Sequence, residues 1–407
     1  MLPCDLVCEL GGESFLETWM VKEASLRGAA GTFDASKGPQ MAISAEKGGR
    51  RGGLGVWYST KGELTVKDEE TDFIAVSPLA SGPVPPPKGS LLPNVSKLIY
   101  SLPTDTLNDI VEKKKALPVR HSLLRKYPHI KMLTNNRDSH FYIFPAWVLE
   151  MINRNEHMES LSEDVIGWWT KAGWQKGLGE ILGLQEIFDG KKVCGSDDGA
   201  GWDTFLDEDI DIGKLTTTQI QNSLYMESLD SSRNELASQS QPGTLDAKAE
   251  LHIPPILAYV HPARDKARLI RRVDTAPLLL LISLQLAKLE SIEQVGRKAA
   301  SPFAHIAKIS YPTSIAVRCT VTKGDCLLAE NVTVEEKCAI KECVIGANCH
   351  IQSGAKLTRC LLMDGVVVGR GCKVTGSILG RRAEIGDDSI LQDCEVEDCM
   401  RVEPKSK

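Results

Sequence analysis

No basic excess marks this chain of 407 residues. Its 48 Lys and Arg stand against 54 Asp and Glu, for a net charge of −6. Bulk charge therefore gives no footprint for nucleic acid, and no direct nucleic-acid partner is expected. Long apolar runs are also missing. The longest, APLLLLISLQLA (276–287), lies between Asp274 and Lys288. It falls short of the roughly twenty residues that cross a bilayer, so it reads as a buried helix and no membrane partner is expected. The first residues, MLPCDLVCELGG, show no charged leader ahead of an apolar stretch, and no signal peptide is read there. The expected compartment is the cytosol, where thiols stay reduced. Neither G-x-x-x-x-G-K-[ST] nor G-x-G-x-x-G occurs. GGRRGGLG (48–55) lacks that spacing and reads as a hairpin loop. The eight histidines are scattered, and no Ser/His/Asp set stands out. No cofactor, catalytic residue or metal site is expected on these grounds.

What the chain does have is cysteine, twelve in all, nine of them between 319 and 399. Such crowding calls for a search for repeats. Large aliphatic residues recur in steps of six, six and five, so the pattern returns every seventeen residues. One column is Val334, Ile351, Val368, Ile385. A second is Ile340, Leu357, Val374, Leu391, and a third is Ile345, Leu362, Leu379, Val396. Extended backwards the pattern takes in Val317 and Leu328, with Lys323 as a misfit; extended forwards it reaches Val402. A coil of three short flat faces needs one large inward residue per face. Two residues earlier the side chain again points inward, because strand side chains alternate, and near a corner only a small one fits.

Those earlier positions are Cys326, Cys343, Cys360, Ser377 and Cys394; Val321, Cys338, Ala355, Cys372 and Ser389; and Val332, Cys349, Val366 and Ala383. All are small. Seven of the nine cysteines thus fill a compact inward slot, where free Cys acts as a small hydrophobe. Tetrahedral zinc sites use tighter local pairs. His350 precedes an inward residue by one and is expected to face outward. Stacked coils from 317 to 402 would bury one another, as solenoid repeats must.

Upstream the pattern changes. SFLETWMVKEASLRGA (14–29) has helical spacing, while GVWYST (55–60), TDFIAV (71–76), KLIYSL (97–102), HIKML (129–133) and SHFYIF (139–144) read as strands. PAWVLEMINR follows at once, with Pro145 at a helix start. Ser160-x-x-Glu163 is a capping-box signature. Alternating strands and helices predict an α/β domain over 1–189, with a Pro/Gly-rich insertion near 77–95. Residues 190–250 are polar and poor in aliphatics and read as a flexible linker, 251–312 as a bridge, and 313–402 as the coiled repeat.

Candidate site residues are few. Asp5 follows an apolar pair at an expected strand end, where an open α/β sheet places ligands. It could hold a divalent cation against phosphates or simply begin a turn. Trp168, Trp169 and Trp174 give one helix a heavy aromatic load. They suit either a core or a partner interface.

LPCDL (2–6), SHFYIFPAWVLEMI (139–152), SEDVIGWW (162–169) and VIGANCHIQSGAKLTRCLLMDGVVVG (344–369) together resemble the nucleotide-sugar pyrophosphorylase-like proteins that carry a left-handed β-helix. Among these the chain is most similar to the gamma-subunit family of translation initiation factor 2B. The resemblance implies a nucleotidyltransferase-like (Rossmann-like) sheet followed by a left-handed parallel β-helix of hexapeptide repeats. Catalytic relatives read closer to L-x-G-D at the first motif, with the Asp on the metal; here Cys4 replaces that glycine, leaving Asp5 as a relict candidate. About a hundred residues that precede the Asp-bearing strand in the family, including its glycine-rich nucleotide loop, are not in this chain. The sheet is therefore expected to be incomplete, to expose an unpaired edge, and to leave the chain poorly soluble alone.

The implied function is that of a non-catalytic scaffold in the complex that recycles initiation factor 2 from its GDP to its GTP form. The implied partners are an epsilon subunit, the other factor 2B subunits, and initiation factor 2 as substrate protein. Two alternatives remain. A sugar-phosphate nucleotidyltransferase would need the missing loop and carboxylate-held Mg²⁺. A hexapeptide acyltransferase would need a protruding histidine base, for which His350 is the one residue in the coils.

Overall fold

The structure, a computed structural model, describes residues 2–30, 51–61, 65–66, 69–79, 85–188, 251–263 and 268–407. The expected linker over 190–250, most of the glycine-rich 48–55 loop's first half and the tip of the 77–95 insertion at 80–84 lie outside the described residues. The chain divides into two units. One comprises Met1–Trp19, Leu54–Ile143 and Ile256–Lys407; the other comprises Met20–Gly53 and Phe144–Pro255. The first unit is a mixed α/β region followed by a parallel β-solenoid of about five turns.

The α/β region starts with β1 (Leu6–Cys8) and α1 (Gly12–Ala30), then β2 (Gly53–Ser59), β3 (Asp72–Pro78) and β4 (Val95–Pro103). Helices α2 (Thr104–Lys114) and α3 (His121–Lys126) lead to β5 (Lys131–Ile143). Strands β6 (Ile256–His261) and β7 (Ile270–Arg272) come much later in the chain. HIKML and SHFYIF, read as two strands from their apolar patches, are the two ends of β5. The polar middle, TNNRDS, stays in the ladder because its side chains pair inside the fold.

The strands close into a barrel in the order β2-β5-β3-β4-β6. The β2–β5, β5–β3, β3–β4 and β4–β6 pairings are antiparallel. Strands β4 and β5 flank β3, so they run parallel to each other, and α2 and α3 form the crossover that parallel neighbours require. An incomplete Rossmann-like sheet with an unpaired edge is what the resemblance implies; closure removes the edge from this sheet. Its core is large and aromatic. Trp57, Tyr58, Phe73, Phe141, Tyr142 and Tyr259 are buried, and Phe15 of α1 packs at 4.8 Å on Phe141 and 5.4 Å on Tyr259.

The solenoid has three parallel sheets of five strands. Coil-to-coil partners such as Val334↔Ile351, Ile340↔Leu357 and Ile345↔Leu362 are seventeen residues apart. Eleven of the twelve large column residues are buried, and Val396 in the last coil is half-buried. Burial of each such side chain contributes about 2 kcal/mol, so every added coil stabilises its neighbours.

The small slots are also buried from Cys326 to Ser389, and Cys394 in the last coil is half-buried; Val321, expected in a small slot, instead takes the large position in register with Ile340. Size is only part of the reason for cysteine there. The thiols of Cys338, Cys349, Cys360 and Cys372 donate to carbonyls fourteen residues on, at 3.0–3.2 Å. Ser389 makes the same bond to Glu403 at 3.1 Å. A small residue with a donor ties the corner of one coil to the next.

The corners carry a second repeat that the aliphatic pattern does not show. Asn331, Asn348, Gly365, Arg382 and Cys399 have positive φ at the same seventeen-residue spacing. Their amides bond back across the stack, as in Asn348 N–H to Glu330 O at 2.9 Å and Gly365 N–H to Ala347 O at 2.8 Å. Cys399, outside the small slots, is one of these exposed corner residues.

The first coil departs from the seventeen-residue register. Val321, not Lys323, pairs with Ile340, and Ile315, not Val317, faces Val334. The slip is two residues, which keeps every side chain on its own face while sparing Lys323 from the interior. Val317 consequently stands fully exposed.

The apolar run expected to be a buried helix is α8 (Ala276–Lys288), introduced after α4 (Ala146–Arg154), α5 (Ile166–Ala172), α6 (Leu178–Ile181) and α7 (Leu184–Phe188) of the second unit. It packs on the solenoid strands Val344–Ile345 and Leu361–Leu362. The outward residues of that face are therefore apolar, Leu327, Val344, Leu361 and Ile378, and Leu361 is buried.

The second unit builds its core from α4, α5, α6 and α7. Trp147 meets Trp169 edge-on at 4.8 Å and Phe188 at 5.2 Å. The capping box at Ser160 forms in altered shape. Ser160 Oγ accepts from the Glu163 amide at 3.4 Å, but the returning carboxylate is that of Asp164, which accepts from the Ser160 amide at 2.9 Å. The first turn, Leu161–Val165, is a π-turn, which moves the reciprocal residue on by one.

Candidate functional site

Asp5 lies at the entry to β1 and not, as expected, at a strand end, and antiparallel pairing sets Leu6 opposite Arg272 of β7. The Val273 amide closes the register on Asp5 O at 2.7 Å. The Asp5 carboxylate accepts from Arg272 Nε at 2.9 Å and Nη2 at 2.7 Å. Burial opposes its charged form, but the Arg272 hydrogen bonds and charge outweigh that and hold its pKa below the ordinary carboxylate value. At this position a guanidinium supplies the positive charge that a cation would bring.

The pair belongs to a larger network. Arg272 Nη1 lies 3.4 Å from His140 Nε2, and its Nη2 lies 3.5 Å from Asp274. Arg137, buried, pairs with Asp274 at 2.5 Å, Glu70 at 3.6 Å and Glu69 at 3.7 Å. Arg271 donates to both Glu69 oxygens at 3.1 and 3.2 Å and lies 5.1 Å over the Tyr58 ring. Arg271 and Arg272 are neighbours on a strand, so they leave opposite faces and reach different carboxylates.

Asp138 sits deepest. Its amide donates to Asp72 Oδ2 at 2.7 Å, its Oδ1 accepts from the His140 amide at 2.9 Å, and its Oδ2 accepts from the Tyr142 hydroxyl. Desolvation dominates its titration, the Tyr142 hydrogen bond opposes it, and the Asp72 charge adds to it; together they raise the pKa to about 7. Tyr142 is pushed well above its usual value by burial and by that carboxylate. His140 adopts φ 56°, a left-handed conformation uncommon for a non-glycine residue, and it bends β5 so that its ring stacks near Tyr142 at 6.2 Å. Burial and the Arg272 charge lower its pKa.

The network clamps β1 and β7 to β5 by ion pairs. Of its members the sequence singled out Asp5 alone. Arg272 lies 267 residues away, and no local pattern joins the two. Among the described residues no three His, Cys, Asp or Glu side chains converge as metal ligands would.

The three tryptophans separate. Trp169 is 1% exposed, its Nε1 donating to Pro254 O at 2.8 Å, and Trp174 is 8% exposed; both belong to the core of their own unit. Trp168 alone of the three presents its ring, 41% exposed, with Lys171 Nζ at 5.2 Å from the ring centre. Adjacent positions on a helix point about 100° apart, so Trp168 and Trp169 cannot share a face. His350 faces outward and is held at both nitrogens, Nδ1 by Thr333 Oγ1 at 2.5 Å and Nε2 by Glu335 at 3.1 Å.

A parallel coil with one large and one small inward residue per face defines a hexapeptide-repeat β-helix protein. More particularly, residues 310–407 match the family described as the EIF2B subunit epsilon LbH domain, LbH denoting the left-handed β-helix. The chain is also 37% identical, over 57 residues, to translation initiation factor eIF2B subunit gamma of Schizosaccharomyces pombe. That likeness covers 14% of this chain and spans 12% of the length of the yeast relative. Both likenesses are to parts of eIF2B subunits; one names epsilon and the other gamma.

Proposed function

We propose that the chain is a non-catalytic, gamma-type scaffold subunit of the guanine-nucleotide exchange complex eIF2B. In this reading it works in the cytosol, pairs with an epsilon-type subunit and other subunits of the complex, and helps hold initiation factor 2 while GDP leaves and GTP enters. The observation that carries the reading is the solenoid, whose residues match an eIF2B domain. The Asp5–Arg272 pair, in which two guanidinium N–H groups donate to Asp5 Oδ2, supports the non-catalytic part, because the carboxylate suggested for metal binding is already charge-paired. The His350 ring is held by Thr333 and Glu335 on its own face, which gives the acyltransferase alternative no projecting base.

The test is release of labelled GDP from initiation factor 2. The chain alone should leave the rate unchanged, and its addition to an epsilon-type subunit should raise that subunit's rate. Acceleration by the chain alone, or pyrophosphate release from GTP and mannose-1-phosphate, would overturn the scaffold reading.

A further inference from the structure

The three faces of the solenoid differ in how their outward groups are satisfied. One is apolar and lies under α8. On a second, His350 pairs with Glu335 and Arg401 with Glu384. The third, built from Ala339–Lys341, Lys356–Thr358, Lys373–Thr375 and Ile390–Gln392, is cationic. Ile340, Leu357 and Val374 point inward, so Lys341, Lys356 and Lys373 point out, and all three are exposed.

Lys356 and Lys373 are direct register partners on adjacent parallel strands. Like charges set opposite each other at the roughly 4.8 Å strand spacing destabilise a sheet. Lys341 stands in register with Thr358, and exposed Arg359 follows at the corner. None of the four cations has a carboxylate within 4.0 Å among the described residues. Thr358 and Thr375 continue the Lys341 column with small polar side chains. The face is thus flat and locally repulsive, and it is lined with hydrogen-bonding groups.

We propose that this face docks an extended, acidic segment of a partner protein, its Asp and Glu carboxylates pairing with Lys341, Lys356, Arg359 and Lys373. An acidic protein segment fits better than nucleic acid because the cationic field is short. Carboxylates close the cationic field at both ends: Glu336 and Glu342 flank the Lys341 strand, Asp387, Asp388 and Asp393 flank the 390–392 strand, and the whole chain is at −6. A long polyanion would run into both sets of carboxylates, whereas a short acidic strand centred on Lys356, Arg359 and Lys373, reaching about 10 Å to Lys341, meets mainly the cations. The proposal does not depend on the reading as an exchange-complex subunit.

The test uses the full chain and a fluorescein-labelled peptide of alternating Glu and Ser, followed by anisotropy at about 50 mM and about 300 mM salt. The peptide should bind at low salt and weaken as salt rises. Lys356→Glu combined with Lys373→Glu should weaken it at least about tenfold, while Arg401→Glu on the neighbouring face should leave it within about twofold. Lys356→Gln combined with Lys373→Gln serves as the folding control. It should also weaken binding, and its melting temperature should rise because the like-charge pair is gone. Absence of peptide binding, or equal binding by the reversed variant, would overturn the proposal. So would oligouridylate binding more tightly through the same lysines, or self-association of the chain that the reversal abolishes.

Discussion

At the scale of single residues, the most informative group is Asp138. Its carboxyl keeps a proton up to pH about 7 in the folded chain, against 3.8 when exposed. Below both values the folded and unfolded states are equally protonated. Between them the folded state holds a proton that the unfolded chain has lost, so stability falls as pH rises through this window and levels off above 7. A difference of roughly 3 pH units sets a ceiling of about 4 kcal/mol on that loss. Asp138→Asn removes the titration. Its melting temperature should therefore decline less between pH 5 and pH 8 than that of the unaltered chain, as followed by circular dichroism. Equal declines would show that Asp138 ionises normally. Asp5 works in the opposite sense, since its lowered pKa favours the folded state above the unfolded value and the gain is lost on acidification.

At the scale of elements, the solenoid shows why some structure was legible in the sequence and some was not. A coil buries residues at fixed spacing, so Val334, Ile351, Val368 and Ile385 advertise their face by period alone. The two-residue slip of the first coil was visible only as a misfit at Lys323, because spacing cannot tell a polar intrusion from an insertion. The barrel was harder to see. Its strands were found singly, but antiparallel closure depends on pairings such as Val95↔Tyr259 that no local pattern encodes. The buried middle of β5, Asn136 to Ser139, reads as a loop until its ion pairs and hydrogen bonds are known. Likewise Asp5 was legible as a candidate and its Arg272 partner was not.

The small slots allow a direct test. Cys360 is fully buried, and its thiol donates to Val374 O at 3.2 Å. Cys360→Ser keeps a small donor and should cost under about 1 kcal/mol. Cys360→Leu overfills the corner and should cost about 1–3 kcal/mol or more. Urea denaturation of the two variants checks this. Equal costs would mean the slot selects neither size nor donor.

At the scale of the whole molecule, the two units combine a closed sheet, a solenoid armoured on one face by α8, and a helical core around Trp147 and Trp169. Trp168 presents its ring at the surface of the helical unit. The barrel's charged cluster is internally paired, which suits a clamp between strands. Affinity purification of the tagged chain from a lysate of its native cells, with mass spectrometry of the co-eluting proteins, tests the proposed scaffold role most directly. Recovery of an epsilon-type eIF2B subunit together with initiation factor 2 is the predicted result. A soluble tagged chain that recovers neither would contradict the scaffold account.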